Sequence, residues 1–244
     1  MTSTIRTLLL GGVGALAIAS QSVAADLSRP VYTKAPPPPP LYSWTGCYLG
    51  IEGGGAWGHS DQIAGGPLGF GSLTGGNGYD VSGGLVGGTA GCNYQVNSWV
   101  LGVEGDMSWV DKSGSAHEVA PFMTTSVVGT HEHWLATIRG RVGFTPMDRW
   151  LLYVTGGFAA ADVEATINTV AAGLLSDTQT RTGWTAGVGI ETAVWNNLTA
   201  KIEYLHVEFG SQGYFNPPPT PGTNIRTDVP LTNEIVRAGL NWRF

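Results

Sequence analysis

Two short stretches of the sequence carry paired charges of opposite sign. Glu104 and Asp106 stand two positions apart, and Arg139 and Arg141 have the same spacing. Side chains at positions i and i+2 of a β-strand point to the same side, so each pair places two like charges on one face. Carboxylates and guanidinium groups that meet across such faces form strong, charge-assisted hydrogen bonds. The chemistry predicted for these residues is therefore an ion-pair network.

The strands that carry these charges must have an apolar opposite face. That face holds Trp99, Leu101, Val103, Met107 and Trp109 around the carboxylates, and Trp134, Ala136, Ile138, Val142 and Phe144 around the arginines. An apolar outer face and a polar inner face are typical of a transmembrane β-barrel. With the faces reversed, each arginine near the bilayer midplane would cost about 2–4 kcal/mol, out of a typical stability of roughly 5–15 kcal/mol. The charges are therefore predicted to face the lumen.

The last ten residues alternate in the same way. Val236, Ala238, Leu240, Trp242 and Phe244 fall on one face, and Arg237, Gly239, Asn241 and Arg243 fall on the other. This period of two, ending in phenylalanine, is the pattern of a lipid-facing barrel strand.

Eight segments in total show this alternation. They lie at roughly 46–59, 80–95, 98–111, 132–145, 149–164, 180–194, 197–210 and 233–244. Short connections at 96–97, 146–148 and 196–197 alternate with long ones at about 60–79, 112–131, 165–179 and 211–232. Short periplasmic turns and long extracellular loops are the outer-membrane pattern. We predict an all-β fold, an eight-stranded antiparallel up-and-down transmembrane β-barrel over residues 45–244.

The same alternation assigns further charges to the lumen. The complete set is Glu52, Glu104, Asp106, Glu191 and Glu203 with Arg139, Arg141, Lys201, Arg237 and Arg243. Neighbouring strands allow Glu104 and Asp106 to meet the arginines at 139 and 141, and barrel closure allows Glu52 to meet Arg237. Buried charges need such partners. An eight-stranded barrel has room only for its own side chains, so we predict a filled lumen rather than a wide water channel.

One segment departs from the simple alternation. Leu198, Ala200, Ile202 and Tyr204 share one face, whereas Leu205, Val207 and Phe209 continue on the other. We therefore expect a β-bulge, or emergence from the bilayer, near Tyr204. Most tryptophans lie towards strand ends, where aromatic girdles meet the two membrane surfaces. The expected girdle residues are Trp44, Trp57, Trp99, Trp109, Trp134, Trp150, Trp184 and Trp242.

The N-terminal segment predicts export. Arg6, an apolar run and small residues before Ala24 and Ala25 indicate a signal peptide over 1–25, cleaved after one of these two alanines. A proline-rich segment over 26–44 is expected to be a periplasmic extension. Charged residues make up 12% of the chain and the net charge is −6, which gives no basic footprint for nucleic acid.

The cysteines and histidines are the remaining chemical candidates. Cys47 and Cys92 lie near the periplasmic ends of adjacent predicted strands, so they form either a disulfide or two free thiols. His131 and His133 could present two imidazoles to a metal or haem iron, or they are solvated interface residues. No nucleophile carries a recognisable catalytic motif such as Gly-x-Ser-x-Gly. We expect no enzymatic activity and no cofactor.

Several stretches resemble the small outer-membrane β-barrel proteins of alphaproteobacteria, the porin-like immunogenic group of 25 and 31 kilodaltons. They are ADL at 25–27, YSWTGCYLG at 42–50, WVLGVEGD at 99–106, LYVTGGFA at 152–159, GWTAGVG at 183–189 and the final Phe244. The family usually has a bulky residue at the position of Cys47 and an aromatic-rich stretch around Cys92, which makes a disulfide particular to this chain more credible. The resemblance implies that the barrel-assembly machinery reads the terminal strand through Leu240, Trp242 and Phe244.

The resemblance also frames the expected function. It implies an integral protein of the Gram-negative outer membrane, in contact with lipid and lipopolysaccharide, with a structural and surface-interaction role. The alternatives are a small passive porin or transporter, and a surface protein that binds haem or another ligand. A host or surface ligand would be bound through the extracellular loops.

Overall fold

The computed structural model describes residues 42–65, 72, 74–119, 126–169, 173–214 and 226–244. Within these ranges every regular element is a β-strand. The described residues belong to one compact unit, 40–244. The expected signal peptide over 1–25 lies outside the described residues, and so does the proline-rich segment as far as residue 41. No helix in the described part of the chain is long and apolar enough to cross a membrane.

Eight long strands form a closed antiparallel ring, which confirms the predicted barrel. With one short strand, β2, in addition to these eight, the strands of the described residues are β1 (Gly46–Ser60), β2 (Ile63–Gly65), β3 (Tyr79–Val96), β4 (Trp99–His117), β5 (Val127–Met147), β6 (Trp150–Thr169), β7 (Gly173–Ala193), β8 (Leu198–Tyr214) and β9 (Arg226–Arg243). Each long strand pairs with the next, and β1 pairs with β9 to close the ring. The short β2 pairs with the outer end of β9.

The strands run further than the alternation predicted. β4 continues to His117 and β5 begins at Val127, so part of the expected loop at 112–131 is paired sheet. Likewise β6 and β7 remain paired up to Thr169 and Gly173, within the expected loop at 165–179. The outward-facing residues of these extensions are polar, so the apolar alternation that predicts a membrane strand stops there. They remain strands because their inner faces pack on an apolar core.

The outer surface has a lipid-facing apolar band. Two of its members, Ile138 and Phe158, are 73% and 79% exposed. Outward-facing tryptophans mark its two edges, with Trp57, Trp109 and Trp184 at the extracellular edge and Trp99, Trp150 and Trp242 at the periplasmic edge. We call these two sets the upper and lower aromatic rings. Such girdles place the band across the hydrocarbon core of a bilayer.

Trp44 was expected in a girdle, and this prediction is wrong. Its side chain is 1% exposed and packs at the periplasmic end of the barrel against Val100, Leu151 and Tyr153. The indole Nε1 donates a hydrogen bond to the Asp148 carbonyl at 3.2 Å. Trp44 precedes β1. The chain at this point folds inward across the periplasmic mouth of the barrel instead of continuing along the barrel wall.

Of the two alternatives expected near Tyr204, the β-bulge is not found there, whereas the outward-facing positions beyond it, His206 and Glu208, are polar, as emergence from the bilayer requires. Tyr204 pairs regularly with Val188 on β7 and Val236 on β9, and the register shift lies between Glu208 and Ser211. The apolar residues beyond Tyr204 simply face inward. Alternation was read on the assumption of a polar lumen, whereas the upper lumen is apolar.

An apolar core fills the extracellular half of the barrel. Its fully buried members include Val81, Val128, Leu135, Ala161, Val163, Leu205, Val207, Tyr214, Val229, Leu231 and Ile235. Inward glycines let neighbouring strands and side chains approach closely around it. An added Cβ at Gly83 or Gly183 would overlap the carbonyl oxygen of Asp111 or Glu208 on the adjacent strand. The barrel is therefore narrow and packed at this level.

Candidate functional site in the barrel lumen

Arg139 on β5 lies at the centre of a buried charge network below the apolar core. Its Nη2 lies 2.6 Å from Glu104 Oε1 and 2.9 Å from Asp106 Oδ2 on the neighbouring β4. Its Nη1 lies 3.0 Å from Glu203 Oε1 on β8, across the lumen. Nε donates to Thr137 Oγ1 at 2.9 Å, which orients the guanidinium plane. One arginine thus joins three carboxylates from two sides of the barrel.

Arg237 on β9 forms the second centre of the network. It pairs with Glu52 on the adjacent β1. Its Nη1 lies 2.9 Å from Asp106 Oδ1, and its Nη2 lies 2.7 Å from Glu203 Oε2. Asp106 and Glu203 therefore each pair with both arginines. This sharing makes the network continuous across the lumen.

Lys201 and Arg141 extend the network towards the periplasm. Lys201 Nζ lies 3.2 Å from Glu52 Oε2 and 3.0 Å from Glu104 Oε1. Arg141 Nη2 lies 2.7 Å from Glu191 Oε2, and its Nη1 lies 3.3 Å from Glu104 Oε2. The guanidinium also lies over the Tyr153 ring, 3.9 Å from its centre.

The network is buried and nearly balanced in charge. Its nine charged side chains are 0–2% exposed: Glu52, Glu104, Asp106, Glu191, Glu203, Arg139, Arg141, Lys201 and Arg237. Five carboxylates thus face four cations. Buried charges of opposite sign are tolerated when each is paired and hydrogen-bonded. The arrangement can lock the barrel walls together, and it fills the lumen at this level.

Arg243 was assigned to this lumen set, and this assignment is wrong. Its side chain lies at the periplasmic mouth, where it donates to the carbonyl of Ser43 and, at 3.1 Å, to the carbonyl of Asn196. Its guanidinium lies 4.4 Å from the centre of the Tyr42 ring. Arg243 is the last residue of β9. Its side chain therefore extends out of the lumen, even though the alternation along β9 assigns it to the inner face.

A second buried pair lies above the network and was missed by the sequence reading. Lys112 Nζ lies 2.6 Å from Glu132 Oε2, and both side chains are 1% exposed. Asn233 on β9 donates to the same carboxylate at 2.8 Å and accepts from Lys112. Residues 112–131 were predicted to form a loop, so Lys112 was not assigned to the lumen. Continued back from Trp134, the alternation would place Glu132 on the outer face, but the bulge between Glu132 and Trp134 reverses it.

Arg181 on β7 is a buried cation of the upper lumen, in addition to Lys112. It is 0% exposed and donates from Nη2 to the carbonyl of Val229. Its guanidinium lies 5.5 Å from the centre of the Tyr214 ring. Burial lowers the pKa of Arg181, and the nearby Tyr214 and Glu132 oppose that change only in part.

The two cysteines form a disulfide that joins β1 to β3. Cys47 and Cys92 are directly opposite in the register of these strands, and their Cα atoms are 4.0 Å apart. Of the two arrangements that the sequence left open, the structure contains the disulfide. The bond lies on the outer face near the lower aromatic ring, close to the end of the chain, since Phe244 N donates to the Cys47 carbonyl at 3.0 Å.

His131 and His133 lie on the outer face above the upper aromatic ring. Their ring centres are 4.5 Å apart. His131 Nε2 lies 3.3 Å from Asp111 Oδ1, and His133 Nε2 lies 3.8 Å from Glu164 Oε2. Across the described ranges, no group of three or more His, Cys, Asp or Glu side chains is arranged to hold a metal ion. The structure thus brings the two imidazoles together, but on the wall and among carboxylates.

The residues of the expected assembly signal lie on the outer face of β9. Leu240, Trp242 and Phe244 are 46%, 59% and 72% exposed. Their strand closes the barrel between β8 and β1.

A closed ring of eight strands, an outer apolar band between two aromatic rings and an inner network of paired charges define an integral transmembrane β-barrel protein. Comparison with known families gives the particular group. The chain belongs to the family described as the outer membrane protein beta-barrel domain, whose model matches residues 42–244. The protein is therefore an outer-membrane protein of a Gram-negative bacterium, surrounded by lipid and lipopolysaccharide.

Two relatives by sequence agree with this assignment. The chain is 33% identical over 263 aligned positions to the 31 kDa outer-membrane immunogenic protein of Brucella melitensis, covering 98% of this chain and all of that protein. It is 27% identical to the 25 kDa outer-membrane immunogenic protein of Brucella abortus, covering 99% of each. Among solved structures, OprG from Pseudomonas aeruginosa is 13% identical with a TM-score of 0.45, covering 84% of this chain and 100% of that one. The Brucella relatives are named as outer-membrane proteins rather than enzymes.

Proposed function

We propose that this protein is a structural component of the outer membrane, which strengthens the envelope and presents its extracellular end to surface ligands. The observation that carries the proposal is the occluded lumen. The charge network fills the lower half, and the apolar core fills the upper half. A barrel closed at two levels is suited to hold the membrane and to display a surface.

The alternative of a passive porin requires a continuous polar path. At the lower level such a path would have to separate Arg139 and Arg237 from the carboxylates that they share. Breaking a buried ion pair on one side typically costs about 3–5 kcal/mol. At the upper level a hydrated ion would meet Leu205 and Leu231, which are 0% and 1% exposed and fully packed. Neither level offers water a continuous polar route.

The surroundings suggest three classes of partner. Lipid and lipopolysaccharide cover the apolar band. The barrel-assembly machinery would recognise the terminal strand through Leu240, Trp242 and Phe244 during insertion. A host or surface ligand would meet the extracellular end. The Brucella relatives are named as immunogenic proteins, which supports the exposure of that end on the cell surface. We assign no enzymatic activity and no cofactor.

Two measurements test the proposal together. Single-channel recording of the folded protein in a planar bilayer should show no stable openings. Deletion of the protein should increase uptake of a dye that an intact outer membrane excludes, and expression of the wild-type chain should restore the barrier. Stable, reproducible openings would favour the porin alternative. An unchanged barrier after deletion would remove the envelope role.

A further inference from the structure

Arg181 differs from the other buried cations of the described residues. Each of those side chains pairs with a carboxylate: Lys112, Arg139, Arg141, Lys201 and Arg237. Arg181 is equally buried, at 0% exposure, yet among the described residues no carboxylate forms an ion pair with it. A guanidinium remains charged at any physiological pH. An unpaired buried charge is costly, so this position is poised for an anion.

The hydrogen bonds of Arg181 are also incomplete. Among the described residues, only Nη2 has an acceptor, the carbonyl of Val229 on β9. Nε and Nη1 are buried and have no hydrogen-bond partner in the same part of the chain. The nearby Tyr214 hydroxyl donates to the Val163 carbonyl at 3.3 Å, and neither of these two nitrogens donates to it. The buried carboxylate of Glu132 in the upper lumen is already bound by Lys112 and Asn233. Two donors of the guanidinium therefore remain available.

The wall beside Arg181 contains a gap in main-chain pairing. The described pairing of β7 with β8 ends at Trp184 and Glu208. Above that point β8 bulges, and Gly210 adopts a positive φ of 65°. Further up, a side-chain hydrogen bond connects β7 and β8 again, because Gln179 Nε2 donates to the Gly213 carbonyl at 3.2 Å. Arg181 lies on β7 between these two contacts. We call this interval, from Trp184 and Glu208 up to Gln179 and Gly213, the β7–β8 window.

The height of the window suggests what reaches it. It begins at Trp184 in the upper aromatic ring, where the hydrocarbon band gives way to the headgroup layer of the outer leaflet. Lipopolysaccharide carries phosphate groups at that level. Arginine binds phosphate oxygens through charge-assisted hydrogen bonds, which are strong where water is excluded.

We propose that Arg181 is the anion-binding residue of a phosphate site, which a phosphate group enters through the β7–β8 window. The phosphate comes either from a lipopolysaccharide headgroup or from free phosphate in the medium. Its oxygens accept hydrogen bonds from Nε and Nη1, which compensates the buried charge. This site is separate from the charge network and does not depend on the structural role proposed above.

The test compares phosphate-dependent stability in matched variants. The mature protein is folded in detergent, and its thermal midpoint is followed by the loss of the heat-modifiable gel band. One arm titrates sodium phosphate against sodium chloride at equal ionic strength. The other arm adds lipid A micelles that carry both phosphates, against lipid A with the phosphates removed. The variants are Arg181→Met and Arg181→Gln, and the control is Arg149→Met at an exposed periplasmic turn.

We expect phosphate in one of these forms to raise the midpoint of the wild type and of the Arg149 control. Both Arg181 variants should weaken apparent phosphate binding roughly tenfold or more, since hydrogen bonds to a charged group are lost. They should still fold, because removing an unpaired buried charge relieves a cost. A response to free phosphate identifies a soluble anion, and a response only to phosphorylated lipid A identifies the headgroup. No response in the wild type, or an equal response in the Arg181 variants, would overturn the proposal.

Discussion

Arg237 and Asp106 form a two-point ion pair across the lumen, although β9 and β4 are not neighbours in the barrel. Arg237 Nη1 donates to Asp106 Oδ1 at 2.9 Å, and Nη2 donates to Oδ2 at 3.2 Å. β1 and β3 separate the two strands on the shorter path around the ring. The pair therefore fixes the distance between opposite parts of the wall, which main-chain hydrogen bonds between adjacent strands cannot do.

Replacement of Arg237 tests this cross-lumen connection. Arg237→Met leaves Glu52, Asp106 and Glu203 with fewer partners, and removing one side of a buried pair costs about 3–5 kcal/mol. We expect a loss of that size in the free energy of unfolding, measured by urea titration in lipid vesicles. The control Arg149→Met, at an exposed position, should change it by less than about 0.5 kcal/mol. A similarly small effect at Arg237 would mean that water compensates the network.

Two positions on β8 separate the inner core from the lipid-facing wall. Leu205 is 0% exposed in the apolar core, whereas Ile202 is 59% exposed on the outer face. Leu205→Ala leaves a cavity and should lower the free energy of unfolding by about 2–5 kcal/mol. Ile202→Ala should cost clearly less, since lipid can fill the space. Urea unfolding of both variants in the same vesicles gives the comparison. Equal losses would show that the upper lumen is not packed as described.

The disulfide predicts a simple chemical result. Protein isolated from the outer membrane without reductant should not react with an alkylating agent at Cys47 or Cys92, and mass spectrometry should find a mass two hydrogen atoms lower than that of the dithiol. Substitution of both residues by serine should lower the free energy of unfolding by about 2–4 kcal/mol, the usual range for a disulfide. Free alkylation of both thiols in the native protein would contradict the bond.

Deletion of Phe244 tests the proposed assembly signal. The truncated chain should show a reduced heat-modifiable band in outer-membrane fractions and should accumulate as unfolded protein. Phe244→Tyr keeps the aromatic ring on the outer face and serves as the control that should insert normally. Normal insertion of the truncated chain would remove the assembly role of this residue.

Alternation along the strands was sufficient to predict the ring of eight strands and the side of the wall on which Arg139 and Glu104 lie. The reason is energetic, since an arginine in lipid costs about 2–4 kcal/mol at the midplane. The same reasoning could not locate the ends of the strands. Once β6 and β7 leave the hydrocarbon, polar outer residues such as Thr166 and Thr178 are compatible with either a loop or paired sheet.

A local irregularity and the apolar upper lumen account for the other errors. A single inserted residue at His133 reverses the side on which Glu132 lies, and nothing in the local composition marks that insertion. Leu205, Val207 and Phe209 were read as evidence of a bulge or of emergence from the bilayer, because an apolar lumen was not considered. Their burial depends on inner residues from seven other strands, which alternation along one strand does not reveal.

The β6–β7 hairpin remains paired for eleven residue pairs beyond Phe158 and Trp184, up to Thr169 and Gly173. Side chains that are neighbours on its surface, such as Glu164 and Thr178, come from different parts of the chain. An antibody that binds this hairpin would recognise a conformational epitope shared by two strands. Linear peptides copied from either strand would then fail to compete, and boiling the antigen before blotting would abolish recognition by such an antibody.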